Sequence, residues 1–182
     1  MDYLAEADKA IEKIADVSKP MYARLKRIPI TLHPDAEVAR TNGKVIQLGP
    51  MFFDERYSLC NRAYILMHEV LHYCLMHGRR QRKMREALGD AFDMAAWQVA
   101  CDFVVNAHLD TFARQWRPDG ACVAEGNIDC TQCSVEEVYH MVKHEQDDEY
   151  YKRWKNERKF GDEAKDRGDE IGDYDETDFD SE

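Results

Sequence analysis

Three residues in one short stretch could perform metal-dependent hydrolysis: His68, Glu69 and His72. Two histidines four positions apart on a helix project from one face, so both imidazole rings can bind one Zn²⁺ ion. Glu69 follows the first histidine, and its carboxylate can accept a proton from a zinc-bound water. The metal lowers the pKa of that water toward neutrality, which yields a nucleophile for a peptide carbonyl. The spacing therefore predicts a zinc-dependent peptidase with Glu69 as general base.

The residues around this pattern favour a metal site over a simpler interpretation. Seven neighbours carry no charge: Ile65, Leu66, Met67, Val70, Leu71, Tyr73 and Cys74. In such an apolar helix, two imidazoles and a carboxylate are costly to bury without partners. The alternative is a pair of core histidines that form hydrogen bonds to their neighbours, with Glu69 at the surface.

A catalytic zinc ion keeps one position open for water and needs a third protein ligand. Asp102 is the preferred candidate, because an unpaired carboxylate would be costly in the apolar stretch 97–106. Asn106 faces the same way and is predicted to orient a ligating ring through its other nitrogen. A structural role, in which both residues cap or bridge helices, is the alternative. His77 is the other candidate ligand, but it lies five residues beyond His72 and requires a break in the helix.

These motifs resemble the zincin-like metallopeptidase domain that is found N-terminal to von Willebrand factor A-like domains in bacterial and phage proteins. The matching stretches are 21–25, 41–44, 48–52, 67–72, His77, 100–106 and 134–139. Their order and spacing agree over residues 20 to about 142. The resemblance implies a metal at His68 and His72, Glu69 as general base and Asp102 as third ligand. His77 also matches the family pattern.

The elements that must position these residues are predicted to form an α+β fold of zincin type. A central helix from Ser58 to about His77 carries the two histidines, and a second apolar helix, roughly 92–109, carries Asp102. A small antiparallel sheet within the first 50 residues packs with both. In zincin-like folds a sheet edge above the ligand helix receives substrate as an added strand, so the strand 45–48 is the candidate binding edge. A protected hairpin is the alternative interpretation of that strand.

Charge divides the chain into two predicted parts. The 182 residues have a formal net charge of −11, and residues 162–182 contain 11 acidic and two basic side chains. We therefore predict a metallopeptidase domain over 1–161, almost neutral, and an acidic disordered tail over 162–182. The acidity argues against a nucleic-acid partner, and no apolar run is long enough for a membrane span. No secretion signal is visible in the first residues, so we expect a cytoplasmic protein.

Three cysteines raise the question of a second, structural zinc. Cys122, Cys130 and Cys133 share a loop, and the last two have the two-residue spacing of a zinc knuckle. A fourth ligand is missing from the pattern, and His140 or His144 would have to supply it. We therefore expect ordinary loop thiols there and a single, catalytic zinc.

A basic run follows the histidine helix. Five of the seven residues 79–85 are positively charged. Such a run is usually a solvated connection between helices. A sharper hypothesis is that this basic loop contacts the acidic tail in cis and screens the cleft.

The leading prediction is a zinc metallopeptidase that acts on a protein or peptide substrate. Tyr73, His108 and Tyr139 have chemistry suited to stabilising the oxyanion, and the sequence does not choose among them. One alternative is a non-catalytic, metal-stabilised interaction module, and another is a phage or mobile-element effector that acts by binding a partner. Glu69 favours the enzyme, because a purely structural zinc site needs no general base.

Overall fold

The computed structural model describes residues 2–124 and 129–144, which form an α+β fold. The α-helices and β-strands in these residues are α1 (Tyr3–Ile14), α2 (Lys19–Leu25), β1 (Ile30–Leu32), β2 (Ala39–Thr41), β3 (Ile46–Leu48), α3 (Leu59–Cys74), α4 (His77–Leu88), α5 (Met94–Ala113) and α6 (Val135–His144). The predicted α+β class is confirmed. The acidic tail predicted over 162–182 lies outside the described residues, so the division of the chain into domain and tail stays a prediction.

Polar side chains at the helix starts explain where the functional helices begin. The Ser58 hydroxyl accepts a hydrogen bond from the Asn61 backbone N–H, and the Asn61 side chain accepts one from the Ser58 N–H, so a reciprocal cap opens α3. Asp93 caps α5 by accepting from the Ala96 N–H. Each cap satisfies backbone N–H groups at the start of its helix, and the apolar residues that follow form the helix. The predicted start of α3 after Ser58 is therefore correct.

The sheet differs from the prediction in its topology. Its strand order is β1-β3-β2, with β1 parallel and β2 antiparallel to β3, so it is mixed rather than antiparallel. The predicted binding edge, 45–48, is wrong because β3 is the central strand and both of its sides are hydrogen-bonded. Ile46 and Leu48 are buried in the core, as expected for the strand in the middle of the sheet. The strand that faces the histidines is β2.

Two apolar clusters form the core, and α5 takes part in both. The first cluster joins α1, the sheet, α3 and the C-terminal half of α5. The second joins the N-terminal half of α5 to α6 and to the segment around Cys122 and Cys130. Asp102 and Asn106 lie in the middle of α5, close to where the two clusters meet. Two otherwise apolar layers thus enclose the polar residues of the candidate site.

The helix that carries the histidines ends earlier than the sequence indicated. α3 stops at Cys74, and α4 begins at His77 after a turn in which Met76 has the left-handed backbone φ of 53°. The segment 79–85, predicted as a loop, is helical, because arginine, lysine, glutamine and methionine are all good helix formers. Its predicted contact with the acidic tail stays a prediction. In the described part of the chain, no helix is both long and apolar enough to cross a membrane.

Candidate metal centre

Polar residues repeat at four-residue intervals along the facing sides of α3 and α5. They are Tyr64, His68 and His72 on α3, and Gln98, Asp102, Asn106 and Asp110 on α5. Residues later on α3 meet residues earlier on α5, so the two helices run antiparallel: Tyr64 contacts Asp110, and His72 contacts Asp102. A four-residue interval keeps every member of each row on one helix face. The rows therefore form a continuous polar seam between two largely apolar helices.

Three potential ligand atoms converge at the centre of this seam. The Nε2 atoms of His68 and His72 lie 2.8 Å apart, and Asp102 Oδ1 lies 3.5 Å from the first and 3.4 Å from the second. Within residues 2–124 and 129–144, no other group of three or more His, Cys, Asp or Glu side chains is placed to hold a metal ion. In a tetrahedral zinc site, ligand atoms lie roughly 3.3 Å from one another. The two distances to Asp102 already match that value.

Asn106 determines which nitrogen of His68 can bind a metal. The Asn106 side-chain amide donates from Nδ2 to the Cys122 carbonyl at 2.6 Å, so its Oδ1 must face His68. That oxygen lies 2.9 Å from His68 Nδ1 and accepts the proton of this nitrogen. His68 Nε2 then presents a lone pair toward His72. Two ring nitrogens at 2.8 Å repel each other unless a proton or a cation lies between them, which suits a metal-binding site.

His77 lies behind His72 rather than beside Asp102. Its Nδ1 is 3.0 Å from His72 Nδ1, the nitrogen on the opposite side of the ring from His68. Burial lowers the pKa of His77 to about 2, assisted by the charges of His72 and Arg80. The imidazole of His77 is therefore neutral at physiological pH. This placement favours Asp102 over His77 as the third ligand.

Glu69 points into the cleft that the three ligand atoms line. Its side chain is nearly buried, and it has no hydrogen bond or ion pair among the described residues. The cleft encloses about 270 Å³, and its walls come from β2, α3, the first turn of α4, and α5. A carboxylate without a partner, beside a candidate metal centre, is available to accept a proton. The position of Glu69 therefore suits the predicted general base.

Sequence reasoning missed two contributors to this cleft. Gln98 lines the cleft one turn before Asp102, and its amide has no hydrogen-bond partner within the described ranges. The β2 strand forms the opposite wall, where the sequence had indicated 45–48. The four-residue interval from Gln98 to Asp102 and Asn106 was visible in the sequence and could have identified Gln98. Nothing in the sequence distinguished β2 as the edge that faces the histidines.

The three oxyanion candidates lie elsewhere. Tyr73, His108 and Tyr139 are not among the residues that line the cleft. Tyr139 stacks on Phe92 in the second apolar cluster, and its hydroxyl accepts a hydrogen bond from the Asp93 N–H. The guanidinium of Arg24 lies over the Tyr73 ring, 4.4 Å from its centroid.

The three cysteines of the predicted loop do not form a metal site in the part of the chain that the structure describes. Cys122 and Cys130 are buried in the second apolar cluster, and Cys133 packs against it. Burial raises the pKa of the Cys130 thiol to about 11, so this group is a neutral thiol at physiological pH. The contact that links this segment to the candidate centre is the Cys122 carbonyl, which orients Asn106.

The fold and the cluster define an α+β protein with a candidate metal centre between two helices. Comparison with known families then identifies its group: the chain belongs to the family described as "Putative metallopeptidase domain", whose model matches residues 2–181. The match extends through most of the acidic segment as well as the described residues. No curated protein and no solved structure matches the chain.

Proposed function

We propose that this protein is a zinc-dependent peptidase in which His68, His72 and Asp102 hold the metal and Glu69 is the general base. The observation that carries the proposal is the convergence of two imidazole Nε2 atoms and one carboxylate oxygen in a cleft that also contains Glu69. Two histidines with one carboxylate are a ligand set typical of catalytic zinc. Membership of the metallopeptidase family supports the same function.

The side chains around the cleft have distinct roles in this proposal. Zinc held there would supply Lewis acidity to a water molecule and to the peptide carbonyl. Glu69 accepts the proton of the attacking water and later delivers it to the leaving amine. The free amide of Gln98 donates a hydrogen bond to the carbonyl oxygen of the substrate. The substrate is a protein or peptide, because the reaction requires a scissile amide.

The β2 strand replaces 45–48 as the proposed substrate-binding edge. It pairs with β3 on one side, and its residues Ala39, Arg40 and Thr41 form the cleft wall opposite α3. A peptide in the cleft can pair with the main chain of β2 and thereby lie across Glu69. Main-chain pairing orients a substrate without selecting its side chains. This geometry fits a peptide in extended conformation.

The proposal is tested by metal content and peptidase activity in a set of variants. We compare the wild type with Glu69→Gln, Asp102→Ala and His77→Ala, and use the exposed Glu86→Gln as the matched control. Zinc is measured by mass spectrometry after dialysis, and activity by the release of fluorescence from labelled casein. We expect Glu69→Gln to retain zinc and to lose activity by roughly 100-fold or more. We expect Asp102→Ala to lose the metal and Glu86→Gln to behave as wild type.

Three results would contradict the proposal in different ways. Wild-type protein without affinity for zinc would end the metallopeptidase assignment. Zinc binding without peptide cleavage would instead support the non-catalytic interaction module. Loss of zinc in His77→Ala with retention in Asp102→Ala would show that the third ligand is His77.

A further inference from the structure

We propose that His77 is a positioning residue, which accepts the Nδ1 proton of His72 and thereby directs His72 Nε2 toward the metal. This inference rests on the proposed function, because it requires a metal at His68 and His72. It assigns to His77 a role other than ligation. The chemistry is outer-sphere control of a ligating imidazole by a second imidazole.

The proton positions follow from the distances. His72 binds a metal through Nε2 only if that nitrogen carries no proton, so in the neutral ring the proton must lie on Nδ1. His77 Nδ1, 3.0 Å away, is then the acceptor of this proton. A neutral His77 that accepts at Nδ1 must carry its own proton on Nε2. The two rings together therefore have one definite pair of tautomers in the metal-loaded protein.

Gln81 provides the acceptor that this tautomer of His77 needs. His77 Nε2 and Gln81 Oε1 are both buried and have no hydrogen-bond partner in the described parts of the chain. They lie four residues apart on α4, the interval at which helical side chains are neighbours. One is a donor in the tautomer derived above, and the other is an acceptor. A small rotation or one bridging water would join them and would satisfy two buried groups that are otherwise costly.

The break between α3 and α4 makes the contact possible. On a continuous helix, five residues would turn His77 about 140° away from the face of His72. The left-handed conformation of Met76 ends α3 and starts α4 in a new direction, and the ring of His77 then meets that of His72 at a centroid distance of 5.1 Å. A non-glycine residue in this conformation costs about 1 kcal/mol. This strained residue lies at the position where the change of helix direction places His77 behind the candidate ligand His72.

The first test measures zinc affinity by competition with a chromophoric chelator. His77→Leu removes the acceptor and replaces the imidazole by an apolar side chain of similar size. We expect a loss of zinc affinity of about 10- to 100-fold. His77→Asn places an amide oxygen near the position of Nδ1, and we expect it to recover most of that affinity. Trp97→Phe is the matched control, because it also deletes a buried, unpartnered N–H, in a ring that packs against Phe92 and Tyr139. We expect Trp97→Phe to bind zinc as wild type does.

The second test needs no variant and reads the tautomers directly. Long-range ¹H–¹⁵N spectra of zinc-loaded wild-type protein distinguish a proton on Nδ1 from one on Nε2. We expect His68 and His72 to carry the proton on Nδ1 and His77 to carry it on Nε2. This readout remains decisive if His77→Leu does not fold.

The results separate this inference from the proposed function. A proton on His77 Nδ1, or unchanged zinc affinity in His77→Leu, would overturn the positioning role while zinc binding by the wild type stands. Loss of zinc in His77→Leu as complete as in His72→Ala would make His77 a ligand and would also overturn it. Failure of the wild type to bind zinc would overturn the proposed function and this inference together.

Discussion

The two histidines of the candidate metal centre have the same chemistry, but different parts of the molecule hold them. His68 is held from α5 by Asn106, which is 2% exposed and fixed by the Cys122 carbonyl. His72 is held from α4 by His77, which follows the left-handed turn at Met76. The first support lies inside the packed core. The second depends on the path of the chain just after α3.

Because of this difference, we expect Asn106 and His77 to affect the stability of the fold to different extents, although both affect metal binding. Asn106 forms hydrogen bonds that the folded core requires, so its loss should weaken both folding and metal binding. His77 has one ring nitrogen without a partner in the described residues, so an apolar replacement removes a buried polar group as well as a contact. We therefore expect the contact of His77 with His72 to contribute to metal affinity and to contribute little to the free energy of unfolding.

The largest expected effect is that of Asn106→Leu. The substitution leaves the Cys122 carbonyl and His68 Nδ1 without their partner in a buried site, and we expect a loss of about 3 kcal/mol in the free energy of unfolding. Zinc affinity should also fall by about 10- to 100-fold. Urea unfolding in the presence of a chelator measures the first quantity, and chelator competition measures the second.

A smaller effect on stability is expected at the turn that precedes α4. Met76→Pro cannot adopt a φ of 53° and also disfavours the backbone of Leu75, which lies near a ψ of 1°. We expect a loss of about 2 kcal/mol in unfolding free energy and a zinc affinity similar to that of His77→Leu. Met76→Gly is the matched control, since glycine adopts this conformation without strain, and it should bind zinc as wild type does. Wild-type affinity in Met76→Pro would show that the turn does not position His77.

His77→Leu in the same unfolding assay sharpens the comparison between the two supports. We expect a loss of about 1 kcal/mol, because His72 Nδ1 loses this acceptor, whereas Asn106→Leu leaves both the Cys122 carbonyl and His68 Nδ1 without their partner. Equal losses of unfolding free energy in His77→Leu and Asn106→Leu would contradict the proposed difference.

The same contrast explains how much of the site could be predicted from the sequence. The spacing of His68 and His72 and the isolated polar residues of α5 are local patterns, and a regular helix converts such spacing directly into a shared face. Asp102 and Asn106 could therefore be assigned to the site of the histidines from their spacing and apolar surroundings alone. The role of His77 could not be predicted, because it depends on a left-handed backbone at Met76. A glycine is the residue expected in that conformation, and the nearby glycine is Gly78.

The sheet shows the other limit of sequence-based prediction. The strand 45–48 was recognisable from its apolar residues, but its position among the strands depends on long-range pairing. Because Ile46 and Leu48 are the most buried residues of the sheet, β3 takes the centre and β2 becomes the edge at the cleft. Burial of a strand indicates that it is central, so the binding edge lies on one of the less buried strands.

The smallest expected effect concerns the ion pair that joins α4 to α6. Arg80, three residues after His77, forms a bidentate pair with Glu136, and about a third of each side chain is exposed. Burial raises the pKa of Glu136, but the hydrogen bond and charge of Arg80 outweigh it and leave the pKa below its usual value. A lowered pKa means that the pair contributes stability above the unfolded value of 4.5 and loses it as the pH falls through the folded value.

Glu136→Gln should therefore reduce the unfolding free energy by less than about 1 kcal/mol at pH 7, and this difference from wild type should diminish at an acid pH below the unfolded value of 4.5. Urea unfolding at both pH values in the presence of chelator measures it, with Glu86→Gln as the control for loss of one exposed carboxylate. At pH 7 we expect zinc affinity to change by less than about threefold, because the turn at Met76 and not the ion pair directs His77. An affinity loss as large as that of His77→Leu would mean that the ion pair holds α4 in place, and the support of His72 would then extend to α6.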